Sequence, residues 1–169
     1  MVIPPSFRAA LSATLGGLLV AFSAPAPARA AAVDQIGLRQ EMANYLADYP
    51  GGRAINNNEI SYQGGAFVVT LRAPIGVLAT ADCPSGWYCF YELPNFGYPR
   101  GRLSSCGRQN LATWQWQYRI ESAHYNLGSG SVSFYYNSTK LFTIGTGNRV
   151  RSDADPYREW PNYVDRYCP

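Results

Sequence analysis

The sequence predicts a mainly β protein: an antiparallel sandwich of two Greek keys with two disulfides, preceded by a small αββ segment. Three observations predict it. All four cysteines, Cys83, Cys89, Cys106 and Cys168, lie in the last 87 residues of the chain. That stretch is dense in aromatics, Gly and Pro, with short runs of strand-formers between turn residues. It also repeats itself: Phe90-Tyr91-Glu92 is echoed by Tyr135-Tyr136-Asn137, and Trp116 with Ile120-Glu121 by Trp160 with Val164-Asp165. Two copies of one unit, each too small to bury its apolar face alone, form a core by packing face to face.

Residues 1–30 read as a secretory leader. Arg8 precedes an apolar run from Ala9 to Phe22, and Ala28-Arg29-Ala30 is an A-x-A cleavage site. Ala30-Ala31-Ala32 offers a second one. The run is shorter than the roughly 20 apolar residues of a membrane span and holds two glycines, so export with cleavage is expected, and no membrane attachment afterwards. Arg8 and Arg29 leave with the leader, and the formal charge falls from +3 to about +1. The remaining arginines are scattered, so nucleic acid is not expected as a partner.

From Asp34, as N-cap, Leu38, Met42, Tyr45, Leu46 and Tyr49 recur at helical spacing until Pro50-Gly51-Gly52 ends the run. Glu59–Tyr62 and Ala66–Leu71 read as strands joined by Gln63-Gly64-Gly65. This αββ segment, residues 31–72, either packs on the remainder of the chain or acts as a pro-segment, since some forty residues make a poor independent domain. Residues 73–81 read as a linker before a domain spanning 82–169. Strands are predicted at Trp87–Tyr91, Gly101–Ser104, Tyr118–Glu121, Ser131–Tyr136 and Lys140–Ile144, with His124 in a further one over 122–126.

An even number of cysteines in an exported chain implies two disulfides, with three possible connectivities. The spacing Cys83-Pro84-Ser85-Gly86-Trp87-Tyr88-Cys89 suits a local clasp around a turn, which leaves Cys106 to tie down Cys168. No C-x-x-C pair is present and His124 is the only histidine, so no metal site and no cofactor are expected.

Asp82-Cys83-Pro84-Ser85-Gly86-Trp87-Tyr88-Cys89-Phe90-Tyr91-Glu92, with Asn95-Phe96-Gly97, Cys106-Gly107 and Gln109-Asn110-Leu111, resembles the βγ-crystallin-like peptidase inhibitors typified by the streptomycete metalloproteinase inhibitor. The resemblance covers roughly residues 82–168. It implies a βγ-crystallin-like pair of Greek keys, secretion to the extracellular space, and inhibition of extracellular metalloproteinases by occupation of the active cleft. The motif residues themselves read as structural: Tyr91, Phe96, Gly97 and Trp116 belong to cores and corners, with Gly97 supplying a backbone conformation other residues resist. Crystallin-type domains often bind calcium, but the corresponding stretch Gln117–Ser122 lacks leading carboxylates and carries Arg119, so no strong calcium site is expected. Loop acids Asp153 and Asp155 leave room for a weak one.

An enzyme is not expected. A hydrolytic nucleophile would need His124 as its base, and no serine elbow is present. Glu92 and Glu121 are the carboxylates that glycosidase chemistry would use, at a separation the sequence does not fix. An inhibitor instead needs a segment held extended and rigid, so that little entropy is lost on docking. Two stretches fit: Phe96-Gly97-Tyr98-Pro99-Arg100, read as a turn, and Gly145-Thr146-Gly147-Asn148-Arg149. The expected protein is a secreted monomer whose partner is an extracellular protease. The rival reading is a non-inhibitory module that binds a glycan or a protein through exposed Tyr and Trp.

Overall fold

Helix α1 (Ala26–Asp48) begins at Ala26 rather than at Asp34. Alanine is the strongest helix former and nothing in residues 28–33 stops the helix, so it runs straight through the position assigned to the N-cap. These elements belong to a computed structural model that describes residues 26–74 and 80–169. The leader expected over 1–30 falls outside the described residues as far as residue 25, and residues 75–79 of the expected linker also lie outside them. Asp34, inside the helix, pairs with Arg72 at 3.0 Å, and Glu41 with the same guanidinium at 2.5 Å.

The expected apolar stripe is present, with Leu38, Met42 and Tyr45 buried and Leu46 and Tyr49 packed against the same core. After the helix the chain passes so close to the next hairpin that a Cβ on Gly52 would lie 2.6 Å from Ile60 Cγ2 and from Tyr62 Cζ. Only glycine fits there. Strand β1 (Arg53–Ala54) pairs with β2 (Glu59–Tyr62), and β2 with β3 (Phe67–Thr70), in the register Glu59↔Thr70 to Tyr62↔Phe67.

The remaining strands are β4 (Trp87–Leu93), β5 (Gly97–Leu103), β6 (Gly107–Asn110), β7 (Ser122–Asn126), β8 (Ser131–Tyr136), β9 (Thr139–Gly145), β10 (Val150–Arg151) and β11 (Tyr163–Tyr167). They form two antiparallel sheets, one in the order β1-β2-β3-β5-β4-β7-β10 and the other β6-β11-β8-β9. The internal repeat is visible in this order. In the first copy β4 and β5 form a hairpin, β7 lies on the other side of β4, and β6 crosses to the opposite sheet. In the second copy β8 and β9 form the hairpin, β11 flanks β8, and β10 crosses back. Each Greek key thus lends its third strand to the other, and the αββ segment extends the first sheet because β3 pairs with β5 from Phe67↔Leu103 to Thr70↔Arg100.

The aromatic residues that mark the sequence fill the space between the sheets. Phe67 stacks on Trp114 at 4.9 Å and lies 5.9 Å from Phe90, which meets Trp116 at 5.3 Å and Phe134 at 6.4 Å. Phe67, from the αββ segment, and Phe90 and Phe134, from the two keys, are all fully buried in one cluster. Rings of this size contribute about 1.5–3 kcal/mol each by burial, so the αββ segment shares the core of the sandwich.

Three sequence expectations are corrected. Tyr118–Glu121 is not a strand: Tyr118 holds φ +65° and β7 begins only at Ser122. Strand β6 is not among the expected strands, because three of its four residues are exposed and none is a large apolar strand-former. Gly97 does not supply an unusual backbone. The positive φ angles fall on Asn95 (54°) and Phe96 (62°), while Gly97 supplies room, since a Cβ there would sit 2.7 Å from Leu93 Cβ.

Candidate functional site

The disulfides join Cys83 to Cys89 and Cys106 to Cys168. The first closes a short loop at the start of β4, and a polar network fixes the residues just before it. Asp82 accepts hydrogen bonds from the hydroxyls of Tyr91 (2.9 Å) and Tyr98, and Arg100 pairs with its carboxylate at 3.0 Å while donating to its carbonyl at 2.9 Å. The buried Arg100 also donates to Thr70 Oγ1 at 3.1 Å, which ties the clasp to β3. Burial, and then the Asp82 carboxylate, push the Tyr91 and Tyr98 hydroxyls well above the ordinary tyrosine range. Both therefore remain donors to the carboxylate.

His124 takes part in the same anchoring. Its Nδ1 accepts the Cys83 N–H at 3.1 Å, and burial lowers its pKa below the ordinary 6.5, with Asp82 opposing and Arg149 and Arg100 assisting. The neutral ring is the form that can accept. Asn126 Nδ2 donates to Cys83 O at 2.7 Å, and Gly86 N–H to Asn126 O at 2.9 Å. The exposed tip Ser85-Gly86 is thus held at both flanks by β7. Sequence reasoning read this loop as a clasp and passed over its tip, although Pro-Ser-Gly between close cysteines is the signal of a displayed turn.

The stretch Phe96–Arg100 is not a free turn. Only Phe96 lies in the bend; Gly97 begins β5, and Arg100 pairs with Tyr91 on one side and Thr70 on the other. Phe96 is half-buried with its ring 5.5 Å from Tyr91, and Tyr98 and Arg100 turn toward Asp82. Pro99 lies in the same strand. An arginine between prolines and glycines reads as solvated, but here the half-buried Asp82 carboxylate claims it.

Gly145–Arg149 does form a displayed turn between β9 and β10. Gly145 and Asn148 exchange backbone hydrogen bonds at 2.9 and 3.1 Å, and Thr146 N–H donates to Gly130 O at 3.3 Å. Thr146, Gly147, Asn148 and Arg149 are exposed. Arg149 Nη1 donates to Tyr125 O and Leu127 O at 3.1 and 3.0 Å, and Tyr125 N–H to Arg149 O at 2.7 Å. Since Trp87 pairs with Asn126 and Val150 with His124, this turn and the Ser85-Gly86 tip flank the same end of β7. The 94–96 bend sits at the opposite end of β4.

The other residues singled out from sequence are engaged in structural roles. Tyr91 and Trp116 are fully buried. Glu92 grips Arg119 through both carboxylate oxygens, at 2.8 and 3.0 Å, and Glu121 lies 3.9 Å from Arg158. Asp153 accepts from Asp155 N–H at 2.9 Å and pairs with Arg158; the guanidinium, then that N–H, hold its carboxyl at about 2. Among the described residues no three His, Cys, Asp or Glu side chains gather as a metal site, and no helix is long and apolar enough to cross a membrane.

Residues 78–140 match the family model described as peptidase inhibitor family I36. The match runs from just before the clasp to the start of β9 and bears out, over that span, the resemblance read from the motif residues. No curated protein and no solved structure matches the chain.

Proposed function

We propose, with the match of residues 78–140 to a peptidase inhibitor family as the premise, that the protein is a secreted inhibitor of extracellular metalloproteinases. That match is the observation that carries the reading. The metalloproteinase as target rests on the motif residues Cys83–Glu92 and Asn95–Gly97. The protease-facing surface is the end of the first sheet where Ser85-Gly86 and Thr146–Arg149 stand on either side of β7. Two features suit it to occupying a cleft. Its turns are exposed, and their backbones are fixed by the Cys83–Cys89 bond and the hydrogen bonds of Gly86, Asn148 and Arg149, so little conformational freedom remains to be lost on docking.

The αββ segment remains attached in the working inhibitor. Its Phe67 is buried between the two keys and its β3 covers the edge of β5; without it the sheet would present an unpaired edge and a gap in the core. Mass measurement of the secreted product tests this, and a product starting beyond residue 72 would refute it.

Titration of a thermolysin-like metalloproteinase with the purified, oxidised protein, in parallel with a subtilisin-like serine protease, tests the function. Loss of metalloproteinase activity linear in added protein, reaching completion at equimolar amounts, is expected. The doubly substituted variant S85P/N148P is expected to weaken inhibition while the fold survives. Full activity of both proteases at a large excess of inhibitor would refute the reading.

A further inference from the structure

The repeat places a tryptophan at the same point of each copy, Trp116 in the first and Trp160 in the second, and the two have opposite surroundings. Trp116 is fully buried, and the guanidinium of Arg119 lies over its ring at 4.8 Å. The same cation is 4.2 Å from the ring of Tyr49 and 5.5 Å from that of Tyr45, while Glu92 balances its charge. Helix α1, with Tyr49 just beyond its end, and the first copy together therefore build a filled cage: three aromatic faces, one carboxylate and one delocalised cation. Trp160 is 51% exposed and lines an open pocket of about 350 Å³ with Tyr118, Tyr136 and Glu159.

This second pocket has the same chemical parts without the cation. Tyr118 and Tyr136 have centroids 6.4 Å apart with planes at 53°, and Tyr136 and Trp160 are 6.1 Å apart at 55°. Rings inclined in this way line the pocket without stacking flat on one another. Among the described residues Glu159 makes no ion pair; its neighbour Arg158 is turned to Asp153. The walls are built at a cost, because Tyr118 and Glu159 both hold left-handed backbones, at φ +65° and +57°, a conformation that L-residues resist because Cβ crowds the following carbonyl oxygen. Hydrogen bonds from Tyr118 N–H to Pro161 O (2.8 Å) and from Glu159 N–H to Ile120 O (3.2 Å) hold them there. The buried Asn162 braces the Tyr136 side, accepting the Asn137 N–H at 2.8 Å. Strain maintained in this way around an exposed pocket points to function.

We propose that Tyr118, Tyr136, Trp160 and Glu159 form a binding site for a quaternary ammonium group. Aromatic faces attract a cation through the ring quadrupole, and a methylated ammonium sheds water readily enough to sit among them. The Glu159 carboxylate supplies the countercharge that Glu92 supplies to Arg119. The site does not depend on protease inhibition, and two of its four residues, Glu159 and Trp160, lie beyond the family match.

The test is a nuclear magnetic resonance titration of the oxidised protein with choline chloride and tetramethylammonium chloride at constant ionic strength. The neutral isostere 3,3-dimethylbutan-1-ol serves as comparison. Saturable shifts are expected at the Trp160 indole and the Tyr118 and Glu159 amides, with the Trp114 and Trp116 indoles unmoved. Choline should half-saturate at a concentration at least about threefold below the neutral isostere. Glu159→Gln should reduce that preference while leaving the isostere's binding unchanged, and Trp160→Ala should abolish saturation, its unperturbed remaining resonances showing that the fold is intact. Absence of saturation, or equal binding of choline and the isostere, would overturn the proposal.

Discussion

Replacing Tyr45 by Phe removes one oxygen atom and tests whether helix α1 is part of the sandwich. Trp116 Nε1 donates to Tyr45 Oη at 2.7 Å in a buried contact between residues 71 positions apart, and Arg119 Nη1 reaches the same oxygen at 3.4 Å. In the variant the phenyl ring still fills the site, so the apolar contribution is nearly unchanged. The indole N–H is left buried without an acceptor, which costs about 1–3 kcal/mol. With a urea m-value of about 2 kcal/mol/M for a small protein, a loss near the middle of that range moves the midpoint down by about 1 M. Urea unfolding followed by circular dichroism reads it directly. The partner control is Trp160→Phe, half-exposed in the second copy, where a shift within about 0.5 kcal/mol is expected. A Tyr45→Phe midpoint equal to that of the parent, with the same m-value, would refute the reasoning and detach the helix from the fold.

Other perturbations give distinct results. Arg100→Ala leaves Asp82 half-buried beside Tyr91 and Tyr98 without its ion pair, and should cost about 3–5 kcal/mol in denaturant unfolding; a loss under about 1 kcal/mol would contradict the burial of that pair. Serine pairs at the two disulfides should differ, the Cys106–Cys168 bond spanning 62 residues and the Cys83–Cys89 bond 6, with losses of about 4 and 2 kcal/mol in the loop-entropy account. Gly97→Ala sets a methyl against Leu93 and should destabilise by about 1–3 kcal/mol, which thermal unfolding detects. Because burial depresses the pKa of His124, the unfolded chain binds more protons than the folded one below pH 6.5. Stability from this group is full above that value and falls as the pH drops toward the folded pKa; His124→Asn should flatten that part of the stability profile, and an unchanged profile would show that the ring titrates freely.

The elements that announce themselves locally could be read in advance. The buried face of α1, the hairpin β2–β3 and the strand Ser131–Tyr136 carry periodicity or strand-forming runs, and the buried Tyr91 and Trp116 belong to the motif residues read as structural. Non-local features could not be read. Strand β6 is a polar edge whose only reason to be extended is its partner Tyr163–Arg166, more than fifty residues away. Arg100 looks like a turn residue because nothing near it in sequence reveals Asp82, and Tyr118 looks like strand because its left-handed backbone is held by Pro161. Of the surface proposed to face a protease, one half is legible in the sequence. The 145–149 turn stands out by its glycines, but its neighbour at the Ser85-Gly86 tip is brought there by β7, which lies between them in space and not along the chain.

The mutual loan of β6 and β10 has a consequence for how the chain can come apart. A break in the connection Leu127–Gly130 between the keys would give two fragments, each lacking a strand that the other carries and each holding one in the wrong place. Neither could close its own sheet, and the Cys106–Cys168 bond, which joins the first key's β6 to the strand β11 of the second, would keep the pieces covalently together. A protease that cut this connection would therefore release nothing: the protein would carry the nick as a silent scar and keep its folded surface intact.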